Sequence, residues 1–131
     1  MSNLALEYGL VSLTPTADHS DKRGFAVKAS TGSAALIAAI TDVPLGVITE
    51  GAPTSGKDSV AICGSGLVVK VKLDATPGSV VLGSYLTTTA TGTFVLDDAA
   101  GSRAVTARAL EAGAANELIR AVLINPVMTL T

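Results

Sequence analysis

The sequence predicts an all-β protein, a compact β-barrel or small sandwich. Three observations carry that expectation: short β-branched runs of strand length, glycines at their ends, and a two-residue alternation in the most regular run. Residues 47–49, 60–63, 67–73, 85–89 and 93–96 fit strands of ordinary length. Gly56, Gly64, Gly66, Gly78, Gly83 and Gly92 punctuate them. Short strands with turn signals every eight to twelve residues are the pattern of a sandwich or barrel.

Taken in order, Leu4, Leu6, Tyr8 and Leu10 fall at a period of two, which on a strand places them on one face. A polar stretch follows over 12–24, with turn residues and little to bury. The apolar stripe can therefore pair within its own domain or reach a neighbouring chain as an extended arm. We take the second reading, with Leu4, Leu6, Tyr8 and Leu10 as an interface strand. Residues 25–29 alternate again, and 34–40 reads as a strand, stopped by Thr41-Asp42-Val43-Pro44. The clearest strand is 67–73, with Leu67, Val69, Val71 and Leu73 on a core face and Lys70 and Lys72 on a wet one.

Propensity and pattern disagree over 104–124, which is rich in Ala, Leu, Glu and Arg, so helices and strands both remain open there. If these are strands, 111–116 connects a hairpin and Leu118, Val122 and Ile124 share a face interrupted by Arg120. Pro126 bars a central ladder position for its own backbone, leaving 127–131 as a tail or an edge. The organisation expected is an extended N-terminal arm and linker (1–23), a β-rich domain (24–125) and a C-terminal tail (126–131). Gly46, Gly56 and Gly66 are evenly spaced, but the residues between them do not repeat, which is hairpin rhythm and not a solenoid.

Composition narrows function mainly by exclusion. The chain is long enough for a real core, and with 48% hydrophobic but only 3% aromatic residues that core must be built from Val, Ile, Leu and Ala. A net charge of -2 with no basic run argues against nucleic-acid binding. The longest apolar run is far too short for a bilayer, and the first thirteen residues lack a signal-peptide pattern, so a soluble protein without a recognisable export signal is expected. Cys63 stands alone, and no intrachain disulfide is possible.

The chemistry-bearing residues do not assemble into a site. Gly51 to Lys57 reads G-A-P-T-S-G-K, the first seven positions of a phosphate loop, but the eighth is Asp58 where a hydroxyl is needed. A strand also follows, where the motif requires a helix N-terminus. His19, the one histidine, reads as an exposed loop residue, and no Cys/His metal site can be built around it. Cys63 reads as a small buried hydrophobe. Asp97 and Asp98 read as a turn, and Glu50 with Asp58 is the other acidic pair. We therefore expect no enzyme, no catalytic, cofactor or metal residues, and no small-molecule substrate.

One resemblance covers roughly residues 24–124. Its parts are GFAVKAS, then PLGVITEGA, SVAICGSGLVVKVKL, GSVVLGSYLTTTATGTFVL and ARALEAGAANELIRAVLI in that order. The set resembles the small β-rich capsid cement, or head decoration, proteins of tailed bacteriophages. Pro44-Leu45-Gly46-Val47, Gly83-Ser84-Tyr85-Leu86-Thr87 and Ala109-Leu110-Glu111-Ala112 carry it best. Ser84 departs from the family pattern, where an acidic residue often follows the glycine, as does the alanine-rich closing hairpin. The resemblance implies a β-barrel-like or β-tulip virion protein on the outer surface of the capsid. It would act there as a homotrimer that clamps adjacent subunits of the major capsid protein. The alternative is a phage-surface adhesion module that binds glycans or a host surface.

Overall fold

Alternation along the chain resolves into ten strands and no helix in the computed structural model, which describes residues 9–98 and 103–129. The strands are β1 (Leu10–Leu13), β2 (Ala26–Ser30), β3 (Ser33–Leu36), β4 (Gly46–Glu50), β5 (Asp58–Ile62), β6 (Val68–Lys72), β7 (Tyr85–Thr88), β8 (Phe94–Leu96), β9 (Arg103–Ala109) and β10 (Leu118–Thr129). They form two antiparallel sheets, ordered β1-β5-β4-β2-β3 and β6-β10-β9-β7-β8. The expected all-β, barrel-like or sandwich-like class holds.

The two orders are the same order. Adding five to each strand number of the first sheet gives the second. Each sheet also rolls until its edges meet: a parallel bridge joins Pro15, just past β1, to Ala34 of β3, and another joins Leu73, just past β6, to Phe94 of β8. The chain is thus a tandem of two five-stranded units with one topology. Rolling shortens the open edges that would otherwise recruit other strands.

Each unit has its own interior. In the first, Val27, Ala34, Ile48 and Val60 are fully buried, with Val11, Leu13, Leu36 and Ile62 packed against them. In the second, Val71, Leu73, Leu86, Phe94, Ala107, Ala109, Ile119, Ala121 and Leu123 form the larger core. Ala26, Val47 and Ala61, which point out of the first unit, are counted in that larger core, with Leu10 packed beside them. The outer side of unit one is therefore what docks it on unit two. Where strands press closest, side chains vanish: a Cβ on Gly46 would lie 2.3 Å from the Ala61 carbonyl oxygen. Buried Thr87 and Thr106 stay satisfied by donating to the Ala104 carbonyl at 2.8 and 3.1 Å.

Several expectations are settled by register. Val71 and Leu73 are buried and Leu67 and Val69 pack against the core, while Val68 is 55% exposed, so the expected face of β6 is the real one. Within 104–124 the regular elements are strands, β9 to Ala109 and β10 from Leu118, because cross-strand pairing and burial override the helix propensity of their alanines. Leu118, Arg120 and Val122 do share a face, but the buried one carries Ile119, Ala121 and Leu123. The expected strand over 34–40 shortens to β3, and Asp42 caps the turn after it by accepting from the Ala38 and Ala39 amides at 2.9 and 3.0 Å. The boundary placed at 126 needs correction: β10 continues through it and pairs Val127 with Val105, after a register shift between Leu123 and Val127 that accommodates Pro126. The Leu123 amide still donates to the Leu67 carbonyl at 3.0 Å, but beyond it β10 pairs among the described strands with β9 alone, so the proline sits where the strand is an edge.

Leu73→Ala should cost about 2 to 5 kcal/mol in urea unfolding, because the vacated volume lies in a closed core. Val68→Ala, on the outer face of the same strand, should change stability by less than about 0.5 kcal/mol.

Candidate functional site

The stretch that mimics a phosphate loop is the connection between β4 and β5, and the residue that spoils the motif explains its conformation. Asp58 opens β5 with the inward parity of Val60 and Ile62, so its carboxylate lies inside the first unit, fully buried. A buried carboxylate is costly unless its lone pairs are met. Here they are met twice: Oδ1 accepts from the Ala52 amide at 2.9 Å, and Oδ2 lies 2.6 Å from His19 Nδ1.

His19 is therefore not the exposed loop residue expected; its relative exposure is 1%. The reason is that Asp58 needs a partner within the barrel, and the segment 14–24 folds across the barrel end to supply it. The His19 amide donates to the Ala52 carbonyl at 2.9 Å, closing a small ring of hydrogen bonds through Ala52 and Asp58. Gly51 permits the approach, since a Cβ there would lie 1.8 Å from the His19 carbonyl oxygen. The same segment is pinned by Thr16 N to Ala34 O at 3.0 Å and by Gly24 N to Ile48 O at 2.8 Å. The stretch read as a loose linker is a clasp. Inward parity of Asp58 with Val60 and Ile62 was the signal for it in the sequence.

The other reactive groups are accounted for locally. Burial pushes the Cys63 thiol up to about 12, so it stays protonated at neutral pH and is a poor nucleophile. Asp97 pairs with Arg103 through Nε. Glu50 is exposed on β4 while Asp58 is sealed inside, so those two acids do not form a working pair. No cluster of three or more metal-ligating side chains occurs among the described residues. Nor is any helix among them long and apolar enough to cross a membrane. A cavity of about 350 Å³ is lined mostly by apolar and threonine side chains, Ile40, Pro77, Thr88, Val95 and Leu96 among them, with Asp98 and Arg103 also on its wall.

Of the residues expected at an interface, Leu10 lies in β1, opposite Ala61, and packs against the main core. Leu4, Leu6 and Tyr8 lie outside the described residues.

Two measurements test the polar architecture. Asp58→Ala strands the His19 ring and the Ala52 amide, and should cost about 3 to 5 kcal/mol in urea unfolding. The double variant His19→Leu/Asp58→Val should lose less than Asp58→Ala alone; a loss equal to the sum of the single effects would mean the two side chains act independently. The second test is acid. The Ala38 amide first, then the Lys28 ammonium, hold the Asp42 carboxyl below its ordinary 3.8. The Thr93 hydroxyl, then Thr76, do the same for Asp74. A depressed folded pKa gives stability that is present above the unfolded value and lost as pH falls below 3.8 through the folded value. Melting temperature should therefore drop below about pH 4, and Asp42→Asn and Asp74→Asn should each flatten that drop.

No family model and no curated protein matches the chain. Among solved structures, its fold is similar to that of the N base of the head fibre protein gp8.5 of bacteriophage phi29, with a TM-score of 0.58 and 18% identity over 89% of this chain and 94% of that one.

Proposed function

We propose that this chain is a structural protein of a bacteriophage head, carried on the outer surface of the capsid. The observation that supports it best is a fold shared along nearly the whole of both chains with a phage head-fibre base. The ordered motifs that resemble head decoration proteins point the same way. In the finer form of the proposal, copies assemble as homotrimers that bridge adjacent subunits of the major capsid protein. The role proposed is non-catalytic, and the sealed pair of His19 with Asp58 is read as serving the fold. Binding the mature lattice better than the unexpanded or broken one would stabilise it by mass action.

A second reading, a base that anchors a further element to the head, is favoured by the structural neighbour being the N base of a phage head fibre. The two differ in what they do to the shell. Added to purified undecorated heads, a cement raises the temperature at which they release DNA, whereas a fibre base binds without that shift. Failure to bind heads at all would refute both.

The proposed arm is tested in the same assay. Removing residues 1–8 leaves β1 in place, so the melting temperature should hold while trimer formation or head binding weakens. Removing residues 1–13 deletes β1 and the pairing of Leu10 with Ala61, and should unfold the first unit. If the shorter deletion changes neither assembly nor binding, the arm plays no part in them.

A further inference from the structure

The tandem topology makes the two units' outer surfaces directly comparable. In the first unit, Leu10, Ala61, Val47 and Ala26 lie opposite one another in one row across β1, β5, β4 and β2. In the second, Val68, Val122, Arg108 and Tyr85 make the corresponding row across β6, β10, β9 and β7. The correspondence is anchored by the bridges, since Leu10 and Val68 each stand five residues before the bridging Pro15 and Leu73. Their fates differ. The first row is buried where unit one docks on unit two. The second faces solvent, with Val68 at 55% and Tyr85 at 48% exposure.

Charge separates the rows further. Beside the first row sit Ser12 and Ser59, directly opposite each other. Their counterparts are Lys70 and Arg120, also directly opposite. Two like charges facing across a sheet repel. One carboxylate, Glu111, is shared between them, 3.6 Å from each cation. The Arg120 amide first, then the charges of Lys70 and Arg120, hold that carboxyl below its ordinary range. Arg108 adds another cation and lies 5.1 Å over the Tyr85 ring. The face is thus cationic in a chain whose net charge is -2.

We propose that this outer face of β6, β10, β9 and β7 is the docking surface for a carboxylate-rich protein surface. Under the head-protein reading, on which this rests for the partner's identity, that surface belongs to the capsid shell. Arg and Tyr, here beside the exposed Val68, are residue types that anchor protein interfaces. Three cations set against the single Glu111 carboxylate leave the face with net positive charge, which supplies complementarity to acids and steers the encounter.

The test uses the full chain, an immobilised random copolymer of glutamate and tyrosine, immobilised duplex DNA, and undecorated heads. Variants are Lys70→Ser/Arg120→Ser, which installs the pair natural to the first unit, and Tyr85→Ser. Lys57→Ser, on the other unit, is the control, and each variant's fold is checked by urea unfolding. Wild type should be held by the copolymer more strongly than by DNA, and less so at high salt. Both face variants should weaken copolymer and head binding by about tenfold or more, the scale of a central interface residue, and the control should not. Stronger retention on DNA, no retention on the copolymer, or equal loss in the control overturns the proposal. Head binding that survives both face variants overturns it as well. If wild type ignores heads while the copolymer results hold, the head reading fails and the acidic-protein surface stands.

Discussion

The constraint on which this structure depends is that its first sheet is apolar on both faces. Ala26, Val47 and Ala61 alternate with Val27, Ile48 and Val60, and all six are fully buried. A flat sheet of that kind would need cover on two sides. Rolling hides one face as a barrel interior, and the second unit covers the other. The bridge from Pro15 to Ala34 and the clasp of His19 on Asp58 are what hold the roll closed. Net stability of the pair itself is secondary, since a buried polar pair roughly offsets its own desolvation. Its effect is on specificity: with Asp58 facing inward, the segment over 14–24 has one place to go.

Much of this was legible in the chain. Strand positions followed from β-branched runs and glycines, and the inward face of β6 followed from period two. Other features were hidden for identifiable reasons. Helix propensity over 104–124 reflects alanines that serve as small fillers where β9 and β10 carry Ala107, Ala109 and Ala121 into a crowded core. Residues 12–24 look like a tether because their polarity suggests solvent, while their backbone groups are in fact spent on β3 and β4. The duplication left no trace in residue identity. Equivalent rows read Leu, Ala, Val, Ala in one unit and Val, Val, Arg, Tyr in the other, so only pairing register reveals it.

One chemistry-bearing residue was legible only in part. Asp58 correctly removes the phosphate-loop reading, yet its own role depends on a histidine 39 residues away. No local pattern ties those two positions. What binds them is the cost of an unpaired carboxylate in an apolar interior, which a single strand's parity signals and only the closed sheet resolves.

Tandem units of one topology also explain why a surface is left over. Unit one contacts unit two through its outer row, but unit two does not return the contact with its own. That is a head-to-tail arrangement, and head-to-tail contacts between like units do not close unless a rotation returns the last to the first. With two units in the chain, one outer row is satisfied and one is not. Had that free row kept the apolar character of Leu10, Ala61, Val47 and Ala26, it would invite a third unit or aggregation. Arg108, with Lys70 and Arg120 beside it, prevents that, since burying cations against another copy's apolar row would leave them unpaired. The same cations that end the series give the free face its selectivity for a surface that supplies carboxylates.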